Sequence, residues 1–112
     1  MKRKVYDAHH AEGLIPLLRS ITNEIQEREA AIDRATAHLM AIEGAVDTAE
    51  RTNLEAELAV HKRELRFARR ELERLGCELD ADYPMRVLIP SSGANRKASF
   101  AWSPADEKLQ MN

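Results

Sequence analysis

Aromatic side chains are scarce in this chain: two Phe, two Tyr and one Trp make up 4% of its 112 residues. Ala and Leu must then supply most of the apolar surface. Helix breakers are equally rare, with four Gly and four Pro. Together with 32% charged residues, this profile leans towards long helices or a coiled coil. A single cysteine, Cys77, excludes an internal disulfide and fits a reducing compartment. No apolar run approaches the ~18 residues that span a bilayer. The formal net charge of −2 gives no global attraction to nucleic acid or to an acidic membrane. Met1-Lys2-Arg3-Lys4 is basic, but Asp7, His9, His10 and Glu12 follow instead of an apolar stretch, which is not the pattern of a secretory leader. The length predicts one domain, and the composition predicts a cytoplasmic protein with no membrane partner.

The informative signal is periodicity. Asp7 is placed to cap a helix beginning at Ala8. Leu14, Leu18, Ile21, Ile25, Arg28, Ile32, Ala35, Leu39 and Ile42 then recur in steps of four and three, a heptad seam with one charged interruption. Pro16, with Gly13 before it, should bend this helix or split off a short opening segment. Gly44 marks its stop. Asp47 with Glu50 resembles a capping box, and a second seam runs Leu54, Leu58, His61, Leu65, Ala68, Leu72 and Leu75 before Gly76. A turn between Val46 and Asp47 sets the two seams opposite each other, from Leu39 against Leu54 to Leu14 against Leu79. In that register Glu29 faces Lys62 favourably, while Glu24 and Glu71 share a side and repel unless a third group intervenes.

Beyond Gly76, Met85–Ile89 and Ala98–Trp102 are strand-like runs bracketed by Pro84, Pro90 and Pro104. Val5-Tyr6 offers a third strand, and the polar stretch after Trp102 reads as a fraying tail. The expected fold is α+β, mainly α: a long antiparallel, coiled-coil-like helical hairpin followed by a small β-hairpin. The expected segments are helices over residues 8–43 and 48–75, a β-hairpin over 85–102 and a flexible tail over 103–112.

The segment Tyr6-Asp7-Ala8-His9-His10-Ala11-Glu12-Gly13-Leu14-Ile15-Pro16-Leu17-Leu18-Arg19 resembles the opening of a bacterial family known as domain of unknown function 2203. That family opens with an aromatic residue, a helix cap, an acidic-Ala stretch and a Leu-Leu-Pro-x-Leu pattern. A charged helical hairpin, a Leu-Gly pair and two short strands ending in a Trp segment follow. Leu75-Gly76, Val87 to Pro90 and Phe100 to Trp102 match those later features. The chain departs where His9 and His10 replace acidic residues, and where the family pattern extends further beyond Trp102. The resemblance implies an architecture and carries no activity, cofactor or site.

Four constellations merit weighing. His9, His10 and Glu12 are the densest group of metal-capable side chains, with His9 and Glu12 three apart on one helix face, but a closed zinc site takes four ligands. Arg28 and His61 interrupt the seams and read first as register-setting polar groups, second as a notch for an anion. Arg63, Arg66 and Arg70 are candidates for nucleic-acid contact within a basic stretch of the second helix. Acidic residues on the first helix and the lack of interleaved aromatics favour a salt-bridged, solvated face instead. Val60 and Phe67 lie seven apart and off the seam, while Ala30, Ala37 and Ala41 give the first helix a second, small-residue surface. A hairpin cannot cover all of these itself, so Val60 and Phe67 are expected to lie at a subunit interface or under the strands. No nucleophile–base pair, phosphate-binding Gly-rich loop or Cys-x-x-Cys pair is present. The reading is a non-enzymatic homo-oligomer, a dimer or tetramer, without cofactor; nucleic-acid binding is the alternative, and a metal site at His9 and His10 ranks third.

Overall fold

A computed structural model describes residues 5–42, 44, 48–92 and 99–111. The chain runs through helices α1 (Ala8–Gly13), α2 (Ile15–Ala41) and α3 (Thr48–Arg74) into strands β1 (Glu78–Leu79), β2 (Val87–Pro90), β3 (Ser99–Trp102) and β4 (Gln110–Met111). It is a long antiparallel helical hairpin followed by a small antiparallel sheet of order β1-β2-β3-β4. Two compact units divide it, Met1–Thr22 with Arg70–Asn112 and Asn23–Arg69, and α2 and α3 contribute a segment to each.

Local chemistry sets the elements of the first unit. The Asp7 carboxylate accepts from the backbone N–H of His10 at 2.8 Å and starts α1. The helix breaks at Leu14, whose N–H donates to Ala11 O at 3.1 Å, just before Pro16. Pro16 becomes the second residue of α2, in the first turn, where a missing N–H has no intrahelical partner to lose. The sheet register is fixed by Val87 opposite Trp102 and Ile89 opposite Phe100. Along β2 the pleat alternates, so Val87 and Ile89 are fully buried while Leu88 and Pro90 are half-buried. Leu18, Trp102 and Thr22 complete this interior at 0% exposure. Thr22 satisfies its buried hydroxyl by donating to Leu18 O at 2.9 Å. Gly76, at φ +79°, lets the chain leave α3 in the left-handed region.

Three features of this unit differ from the expectations. The stretch after Trp102 is folded, not frayed. Asp106 organises it by accepting from Ser103 N at 3.1 Å and Ser103 Oγ at 2.9 Å. Its backbone carbonyl accepts from Trp102 Nε1 at 3.2 Å. The chain then returns as β4, pairing Gln110 with Ala101 and extending the expected β-hairpin. Arg19 of α2 donates to Pro104 O and Asp106 O at 3.0 and 3.2 Å, with its guanidinium 5.2 Å from the Trp102 ring centroid. Finally, Val5-Tyr6 makes no full strand. Tyr6 forms one parallel bridge to Ser91, and its hydroxyl donates to Leu75 O at 2.7 Å.

The second unit holds the hairpin arms. Ile25, Ala35, Leu54, Leu65 and Ala68 are buried along the two seams, whereas Ile32, Leu39 and Leu58 are half-buried. The Glu29–Lys62 pairing is replaced by Arg69 Nη2 to Glu29 Oε2 at 3.9 Å. Near the end of α2, His38 Nε2 lies 3.0 Å from Glu50 Oε1 of α3. Gly44 adopts φ +87°, the conformation expected of a residue that stops a helix. The predicted turn at Val46-Asp47 lies outside the described residues, as do the basic Lys2-Arg3-Lys4 start and residues 93–98 between the two strand-like runs.

Candidate functional site

The seam of α3 turns Leu54, Leu65 and Ala68 inward, and a residue seven positions from another returns to nearly the same face. Val60 and Phe67 therefore form one ridge off the seam, and they remain 43% and 48% exposed. Charged rows border the ridge. At about 100° per residue, Arg63 lies roughly 50° to one side of it, and Glu64 and Glu57 lie roughly 50–70° to the other. Arg63 and Glu57 are exposed and Glu64 is half-buried. Their intrachain contacts are loose: Arg63 Nε stands 3.8 Å from Glu64 Oε1, and Glu57 Oε1 stands 3.6 Å from His61 Nε2. On α2, Ala30, Ala37 and Ala41 are exposed, and Met40 is 70% exposed.

The polar interruption of the seams is a satisfied pair. Arg28 Nη1 lies 2.9 Å from His61 Nδ1, and Arg28 Nε donates to Glu24 Oε1 at 2.7 Å. A guanidinium only donates, so His61 Nδ1 is the acceptor and the ring proton sits on Nε2, facing Glu57. The hydrogen bond to Glu24 raises the pKa of Arg28, with the charges of Glu24, Glu64 and Glu27 acting in the same direction. Glu24 is thus the residue to which Arg28 reaches, and the guanidinium offsets its charge. An open groove lined by Glu27, Arg28, Ala30, Ala31, Arg34 and His61 runs beside the pair.

The structure does not gather the candidate metal ligands. His10 Nδ1 pairs with Asp7 Oδ1 at 2.9 Å, and the His9 ring meets the His10 ring edge-on at 5.7 Å. The two hydrogen bonds from His10, backbone first and side chain second, hold the Asp7 carboxyl below its usual pKa. His10 thus belongs to the helix cap. Glu12 is exposed, and among the described residues no three His, Cys, Asp or Glu side chains converge on a point. Arg63, Arg66 and Arg70 all face solvent, as a basic strip requires, while their neighbour Arg69 is drawn to Glu29. Cys77 is buried, and burial pushes its thiol up to about 11.

Val60 and Phe67 were legible in the sequence as apolar residues off the seam. Their charged borders were not singled out, although the i±3 and i±4 spacing around each carries that signal. Among the described residues no helix is long and apolar enough to cross a membrane. A family model described as "Uncharacterized conserved protein (DUF2203)" matches residues 4–112. No curated protein and no solved structure matches the chain.

Proposed function

We propose that this chain, which belongs to the DUF2203 family, is a non-enzymatic, homo-oligomeric interaction protein whose subunits meet through the outer face of α3. The observation that carries the reading is the Val60–Phe67 ridge, two large apolar side chains one heptad apart and each more than two-fifths exposed. A helix in water gains nothing from presenting such a ridge, and covering it returns roughly 25 cal/mol per Å² of apolar surface removed from water. Both side chains sit on a regular helix, so a partner meets a preorganised surface and loses little entropy in ordering it. The proposed site needs no cofactor. Light scattering on size-fractionated protein tests the reading: a mass of two or four chains at tens of micromolar supports it, and a single-chain mass throughout that range removes it.

A further inference from the structure

Resting on that reading, we infer that the partner at the ridge is a second copy of this chain, docked with its α3 parallel to the first around a two-fold axis running along the helices. Charge distribution decides the orientation. Arg63 borders the Val60–Phe67 ridge on one side, and Glu57 and Glu64 border it on the other. When two such faces meet in parallel, the basic side of each copy lies against the acidic side of its partner. At a rise of about 1.5 Å per residue, Arg63 and the partner's Glu64 then stand at nearly the same height. When they meet antiparallel, Arg63 opposes Arg63 and glutamate opposes glutamate, which repel. The parallel arrangement also brings Val60 onto Val60 and Phe67 onto Phe67, aromatic against aromatic. The intrachain alternatives are poor competitors, because Arg63 and Glu64 are only 3.8 Å apart in a loose contact. The closure is isologous, so association stops at a pair on this face. Two apolar side chains per copy cover far less than the roughly 800 Å² per partner of a standard interface. The pair is therefore weak, and the charged rows govern both its orientation and its salt sensitivity.

The test is a charge swap on the full chain, read by sedimentation at low salt with circular dichroism on every variant. Arg63 and Glu57 are exposed and Glu64 is half-buried, and unchanged helicity and melting show that folding is intact. Arg63→Glu and Glu57→Lys/Glu64→Lys each weaken self-association at least tenfold, and mixing the two variants restores it. Val60→Cys, in a chain whose only other thiol is the buried Cys77, forms a disulfide-linked dimer under mild oxidation. The opposite result is Arg63→Glu binding wild type more tightly than wild type binds itself, with no crosslink at position 60. That outcome establishes antiparallel pairing and overturns this inference while leaving the oligomer reading standing. Self-association indifferent to either swap also overturns it. A monomer at every concentration removes both.

Discussion

The unit formed by residues 1–22 and 70–112 and the unit formed by residues 23–69 are built on opposite principles. The first buries Trp102, Leu18, Ile89, Val87 and Thr22 completely, and among the described residues only Ile25 of the six largest fully buried side chains belongs to the second. The first is also tied by bonds distant in sequence, from Tyr6 to Leu75 and from Arg19 to Pro104 and Asp106. In the second, two helices meet along a narrow seam. A guanidinium–imidazole pair interrupts that seam, and Val60, Phe67 and Met40 are left in solvent. A sheet laid on helices encloses an interior from several sides; two helices alone enclose only a stripe. The lesson is where enclosure resides: the first unit holds nearly all of the fully buried side chains, while both units leave large apolar side chains exposed, Val5, Leu17 and Tyr83 in the first and Met40, Val60 and Phe67 in the second.

The comparison breaks most easily at Trp102. Trp102→Ala empties the interior of the first unit and should cost about 3–5 kcal/mol in denaturant unfolding. Leu65→Ala, at the less enclosed seam of the second unit, should cost about 2 kcal/mol, the low end for such a truncation. Equal losses would mean that the two interiors are equally tight.

Alkaline pH probes the same contrast chemically. Burial holds the Cys77 thiol at about 11 against an ordinary value of 9.0, so at a given pH it carries about a hundredfold less thiolate than an exposed thiol. It should resist a thiol reagent at pH 8 until the protein unfolds. The folded state retains its proton where the unfolded state has lost it, so stability is steady below pH 9 and falls between pH 9 and 11. Tyr6, whose pKa is raised chiefly by burial and further by Cys77, adds to the same alkaline decline. A stability profile flat to pH 11 would show that this interior admits water. A smaller effect, about 1 kcal/mol, is expected from Tyr6→Phe, which keeps the ring and removes one hydrogen bond to Leu75 O.

The parts of this architecture that were legible in the sequence are those written in local spacing. Leu, Ile and Ala at steps of four and three marked both long helices, Asp7 marked the first cap, and Pro16 marked the break that falls at Leu14. Prolines bracketed the two central strands. The rest depends on residues far apart in the chain. A two-residue strand such as Glu78–Leu79 or Gln110–Met111 has no period to detect. The turn after Trp102 is held by one carboxylate, Asp106, and by Arg19 more than eighty residues upstream. Glu29 chose Arg69 over Lys62 because long side chains reach a turn beyond the layer they face. The candidate surface was half legible: Val60 and Phe67 stood out as apolar residues off the seam, but their exposure is a property of the fold.

The smallest effect on folding carries the most weight for function. The double variant Val60→Ser/Phe67→Ser should change chain stability by less than about 1 kcal/mol, because nearly half of each side chain already faces water. Sedimentation velocity over a micromolar concentration series, wild type beside this variant, tests the central claim most directly. The account predicts concentration-dependent association for the wild type and a single monomer boundary for the variant, with closely similar melting curves. A monomeric wild type, or a variant that associates as well as the wild type, would contradict it.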